Sequence, residues 1–174
     1  MSDNAAPHDH GYSQLNPALV LDGVAAVGEV PDGRLLQLNS YENRVFQVML
    51  EGGQAVVAKF YRPQRWSDAQ ILEEHAFALQ LAAADVPVVA PRVLSTAQVP
   101  VRGSPATLAT LEHGEHRFRF SVSDRHAGWA PNLEDPQTLQ WLGRFLARLH
   151  AVGGTRRFEH RRRIDVATYG DASR

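Results

Sequence analysis

At 174 residues, with 44% hydrophobic and 21% charged side chains, the chain carries enough apolar material for a packed core. Its formal net charge of −1 supplies no global field toward nucleic acid or an anionic membrane, and the lack of cysteine excludes disulfides and thiolate metal sites. The polar start, MSDNAAPHDHGYSQ, lacks the cationic beginning and apolar stretch of a signal peptide and no apolar run approaches the ~20 residues that span a bilayer, so a cytoplasmic protein is expected.

Residues 1–14 read as a disordered tail. Asn16-Pro17 then pairs an N-cap with proline at the first helical position, and Leu19, Val20, Val24 and Val27 continue a short amphipathic helix that Gly28 stops. LLQL and VFQVM read as strands on either side of the polar turn NSYENR, and EGGQ leads into a third strand over 55–61. Three strands in immediate succession predict an antiparallel meander. Ser67 opens a capping box with Gln70, and the stretch from Asp68 to Ala84 is rich in good helix formers until Asp85-Val86-Pro87 ends it. Pro87, Pro91, Pro100 and Pro105 punctuate an extended region with strands expected near 93–99 and 106–111. HGEH (113–116) marks a hairpin turn, and RFRFSV (117–122) reads as a further strand. After the loop SDRHAGWAPNLEDP comes a second clear helix over 137–151, with Leu139, Leu142, Leu146 and Leu149 on one side. An arginine-rich tail follows Gly153-Gly154, and there is no internal repeat.

Chemistry gathers around one residue. Lys59 is the only lysine beside seventeen arginines, and it sits in AVVAKFY, a β-branched run that reads as a buried strand. A compact ammonium and a planar guanidinium are not interchangeable at a tight phosphate site, so a lysine kept here calls for a reason. The period of two places Val57 and Lys59 on one strand face, as in the V-A-I-K element of kinases, where the lysine reaches nucleotide phosphates and the valine lines the adenine pocket. Upstream, Leu38 to Val45 has the spacing of the loop G-x-G-x-x-G-x-V with every glycine replaced. Ser40 and Asn43 stand at the second and third glycine positions; Ser adds a hydroxyl donor and Asn tolerates the left-handed conformation such a turn uses. Tyr41 and Glu42 complete the loop, and Val45 is expected to face adenine. The helix offers Glu73 and Glu74 as partners for Lys59, and the face shared by Ile71, Glu74, Ala78 and Leu81 favours Glu74.

The segments LNSYENRVFQV, VVAKFYRPQRWSDAQILEEHAFALQLAAADVPVVAP and LGRFLARLHAVG resemble the bacterial stress response kinase A family, from about Leu15 to about Tyr169. The resemblance implies an α+β, protein-kinase-like N-lobe of about five antiparallel strands and one αC-type helix over 15–122. A hinge near Ser121–Arg125 and the truncated start of a C-lobe would occupy 123–174. It implies a Ser/Thr protein kinase that uses ATP and Mg²⁺ in a bacterial stress response, with Ser40 contacting ATP and the Lys59–Glu74 pair carried over. Such a kinase needs H-G-D-x-H-x-x-N and a later metal-binding aspartate, and neither occurs. The nearest imitation, Asp124 to Trp129, has tryptophan at the asparagine position and precedes the 137–151 helix, so it is rejected. The expectation is an ATP-binding half that is inactive by itself. Alternatives are a small-molecule phosphotransferase of the aminoglycoside, choline or homoserine type and a non-catalytic nucleotide-binding module.

Other groups carry blander readings. His8, His10, His113 and His116 lack a carboxylate or cysteine framework for metal. His150 reads as an ordinary helix residue, and Arg156, Arg157, Arg161, Arg162 and Arg163 as a solvated basic tail rather than a nucleic-acid site. The partner expected is a protein substrate. Self-association through the apolar face of the 137–151 helix, which carries Trp141 and Phe145, is also expected.

Overall fold

The structure is a computed structural model that describes residues 11–94 and 106–166. Helix α1 spans Pro17–Ala26, and the Asn16 side chain accepts the Leu19 backbone N–H as its N-cap. Strands β1 (Pro31–Leu38), β2 (Arg44–Leu50) and β3 (Ala55–Phe60) follow as the expected meander. Helix α2 (Asp68–Ala83) begins with a complete capping box between Ser67 and Gln70. Its stop is equally local: Asp85 takes φ 55°, the left-handed conformation that turns a chain off a helix end. β4 (Ala109–His113), β5 (His116–Asp124) and α3 (Pro136–Gly153) complete the described elements.

The five strands form one antiparallel sheet in the order β1-β2-β3-β5-β4. Alternation sorts the β3 side chains onto two faces. Val56, Ala58 and Phe60 are buried with Phe46, Val48, Phe120 and Val122 in a core that takes in Val20 and Val24 of α1. A fully buried side chain of valine or phenylalanine size contributes about 1.5–3 kcal/mol. Val57 and Lys59, one residue out of phase, face the opposite side, toward α2. The register then lines up Val45, Lys59 and Ser121 as neighbours across three strands.

Several expectations shift. The tail assigned to 1–14 does not run that far: Tyr12 is buried in the core and its hydroxyl donates to the Phe60 carbonyl at 3.0 Å. Most of the strand expected near 93–99, residues 95–99, lies outside the described residues; what is described nearby is a bridge between Pro91 and Ser123. The strand expected over 106–111 is shifted: its pairing with β5 begins at Ala109, opposite Phe120, and runs on to His113 at the 113–116 hairpin. The largest difference is the basic tail. It folds back on α2: Arg156 lies 5.8 Å over Phe158, Phe158 packs edge-on to Phe77 at 5.2 Å, and Arg161 reaches Glu74.

Candidate active site

Lys59 lies on the wall of a cavity of about 210 Å³ that it shares with Val45, Val57, Glu74, His75 and Ser121. Ligand pockets commonly occupy roughly 300–1,000 Å³, so these residues make one wall of a site rather than a whole one. Lys59 Nζ stands 3.6 Å from Glu74 Oε1 and 4.7 Å from the centre of the Tyr61 ring. Burial is the main cause that lowers the Lys59 pKa; the Arg161 charge adds to it and the Glu42 charge opposes it. An ammonium this loosely paired with its one carboxylate keeps N–H donors free for a further acceptor.

The choice between adjacent glutamates resolves by direction. Glu74 turns to Lys59, whereas Glu73 points to the returning tail and accepts the backbone N–H groups of Glu159, His160 and Arg161 at 2.6, 3.0 and 2.8 Å. Burial acts to raise the Glu73 pKa, but these three donors outweigh it and the net shift is downward. The other carboxylate oxygen of Glu74 pairs with Arg161, whose guanidinium lies 4.6 Å from the Trp66 ring centre.

The loop between β1 and β2 is tied down by its own side chains. Glu42 pairs with Arg65 at 2.5 Å and Asn43 Oδ1 accepts the Arg62 N–H at 3.3 Å, while the Tyr41 side chain stands in solvent. Asn43 does not take the left-handed conformation expected of it; among described non-glycine residues only Gln64 and Asp85 have positive φ. Its amide is used for anchoring the loop instead. Ser40 and Tyr41 to Asn43 stay outside the cavity wall, with Val45 as the residue of this segment that reaches it.

Behind Lys59 is a buried polar network that sequence reasoning does not find. Tyr61 Oη lies 2.6 Å from His75 Nε2 and 3.1 Å from Ser121 Oγ, and His75 Nδ1 lies 2.8 Å from Thr107 Oγ1. The one available signal is helical phase: His75 follows Ile71 by four residues and so shares its inward face. Tyr61 follows Lys59 by two in the chain, but Thr107 and Ser121 become its neighbours only through the sheet. A larger surface groove of about 530 Å³ at Gln47, Met49, Gln54 and Arg92 offers little chemistry, since Arg92 is already paired with Glu29 and Asp124. Among the described residues no three His, Cys, Asp or Glu side chains gather as a metal site.

Residues 34–172 match the family model APH, described as the phosphotransferase enzyme family. The serine/threonine protein kinase RdoA of Salmonella typhimurium is 36% identical over 169 residues, 97% of this chain and 46% of the relative. Stress response kinase A of Escherichia coli is 38% identical over 158 residues, 91% of this chain and 44% of the relative. The chain thus spans a little under half the length of these curated relatives. A solved amicoumacin kinase, hAmiN, in complex with AMP-PNP, Ca²⁺ and Ami superposes with TM-score 0.73 at 18% identity, over 90% of this chain and 46% of that one. A microcompartment-associated aminopropanol kinase gives TM-score 0.61 at 22% identity, over 88% and 46%. At such identities the two solved structures speak for the fold, a kinase-like sheet-and-helix lobe.

Proposed function

The chain belongs to the phosphotransferase enzyme family, and from that premise we propose that it supplies the nucleotide-holding lobe of an ATP-dependent kinase that phosphorylates serine or threonine in proteins during bacterial stress. The observation that carries this reading is the Lys59–Glu74 pair on an apolar wall that includes Val45 and Val57. Relatives named as stress response or serine/threonine protein kinases support the substrate class. Lys59 would hold the α- and β-phosphates and the two valines would flank adenine. The backbone of the Ser40, Tyr41, Glu42 and Asn43 loop would cover the phosphates. Residues 15–122 would form this lobe, and 123–174 the hinge and the first part of a second lobe. A cytoplasmic location is part of the same proposal; no helix among the described residues is long and apolar enough to cross a membrane.

Mg²⁺ is implied by the family, but the described residues do not offer it a donor set: Glu74 is engaged by Lys59 and Arg161, and Glu73 by three N–H groups. In these 174 residues there is no H-G-D-x-H-x-x-N stretch, so the groups that would orient the accepting hydroxyl are not in this sequence.

A second reading, a kinase for small alcohols or amines, draws on the solved neighbours, whose names refer to amicoumacin and aminopropanol. The full-length protein separates the two. Transfer of ³²P from ATP to a generic protein substrate, with no turnover of aminoglycosides or amino alcohols, is the expected result; the opposite pattern moves the assignment to the second reading. The 174 residues alone are expected to transfer no phosphate.

The α3 surface bears on partners. No residue of α3 is buried, Leu139, Trp141 and Leu146 are half exposed, and the Trp141 and Phe145 rings stack at 5.8 Å. Exposed apolar side chains gathered on one helix favour association. Sedimentation of the 174-residue chain is expected to give a dimer or larger species, and Leu139→Glu with Leu146→Glu to return it to monomer. A monomer at all concentrations in the parent chain would remove self-association from the proposal.

A further inference from the structure

The return of the tail to α2 puts a second cation beside the candidate phosphate lysine. Glu73 fixes the backbone of 159–161 by accepting three consecutive N–H groups. That docking carries the Arg161 side chain across the face of Trp66 and onto Glu74. One carboxylate therefore serves two cations, Lys59 on Oε1 and Arg161 on Oε2. The division is unequal. Charge-assisted N–H···O bonds run to roughly 2.7–2.9 Å, and Lys59 at 3.6 Å is outside that range, while Arg161 is in direct contact.

Building on the reading of Lys59 as a phosphate lysine, we propose that Arg161 is a positioning residue for the Lys59–Glu74 pair, holding and neutralising Glu74 so that the lysine charge stays available to a phosphate. A lysine and a glutamate alone present no net charge to an incoming anion. With Arg161 added, the three groups present one positive charge at the cavity. When a phosphate draws Lys59 away, Glu74 keeps a partner instead of becoming an orphaned, half-buried carboxylate, which would pull the lysine back. The fall in the Lys59 pKa agrees with this arrangement, since Arg161 contributes to it after burial. The groups that face Lys59 are Glu74 and His75 of α2, Tyr61 just beyond β3, Glu42 of the β1–β2 loop and Arg161 of the tail.

Because Lys59 is the only lysine, ε-¹³C-lysine labelling of the chain yields a single side-chain signal to titrate by NMR. Arg161→Met is expected to raise its titration midpoint, because a nearby like charge is lost and Glu74 is freed to approach. With AMP-PNP as the probe in the full-length protein, Arg161→Met is expected to weaken binding about fivefold, the size a partly exposed ion pair supports. Arg161→Lys should recover most of that loss, and Arg161→Met should add nothing in a Glu74→Gln background. An arginine that only braces the tail would leave the Lys59 midpoint in place and give additive losses; either result overturns the proposal. AMP-PNP binding that ignores Lys59→Met overturns the nucleotide reading instead, and the Lys59 titration still decides whether Arg161 acts on the pair.

Discussion

Lys59→Met is expected to weaken AMP-PNP binding by about 10- to 100-fold, the loss of one charge-assisted contact to phosphate, while the melting temperature stays level or rises. The second half of that result follows from the surroundings. Lys59 is a partly desolvated ammonium whose pKa burial pushes down, so its charge is a cost to the folded state. Methionine keeps a side chain of similar length on the wall that Lys59 shares with Val57 and Tyr61, without that charge. Glu74 is not orphaned by the change, since Arg161 remains on its second oxygen. A lysine kept for packing would behave in the opposite way, losing stability and leaving binding alone. Titration calorimetry and thermal melting of the same samples separate the cases. Unchanged affinity sinks the phosphate role, and a collapse in stability sinks the claim that the fold tolerates rather than needs the charge.

Legibility in the sequence follows the range of the interactions. Asn16 and Pro17, the Ser67–Gln70 box and the alternation through β3 act over a few residues, and each is readable from the order of side chains alone. The Lys59–Glu74 pair is legible too, because a strand period and a helix phase each fix which way one side chain points. Glu73 is not. Its partners lie 86 to 88 residues away and are backbone N–H groups, which leave no mark in the identity of the residues that bear them. Arg161 reads as one of five solvated arginines for the same reason: nothing local distinguishes it from Arg162 or Arg163, which are exposed. Composition hides Tyr12, since a polar N-terminal stretch gives no sign of a single core tyrosine. Asn43 shows the reverse error, where a glycine-loop template suggests a backbone role and the structure gives the amide a side-chain one.

His75 should make the fold acid-sensitive in a window set by a histidine rather than by carboxylates. It is buried on α2 with Tyr61 at one ring nitrogen and Thr107 at the other, and burial first, with the Lys59 charge second, lowers its pKa to about 4. The neutral ring completes the network by donating from one nitrogen and accepting at the other, so Tyr61, Ser121 and Thr107 are all satisfied. The Tyr61 hydroxyl, its pKa raised to about 12 by burial, remains protonated throughout. In the unfolded chain the His75 ring takes up a proton near its ordinary value of 6.5, whereas in the folded chain it resists until about 4. Between those values the unfolded state binds more protons, so stability is full above 6.5 and is lost as the pH falls toward 4. A gap of this width corresponds to about 3 kcal/mol. His75→Gln keeps a donor and an acceptor without a titrating ring, and imperfect fit should cost about 1 kcal/mol at neutral pH. Urea unfolding of parent and variant, from neutral pH down to the folded-state pKa, is then expected to show the parent losing its advantage and falling below the variant. A stability difference that stays constant with pH would mean that the fold does not hold His75 neutral. In that case the network would owe its geometry to Tyr61, Ser121 and Thr107, with His75 contributing shape alone.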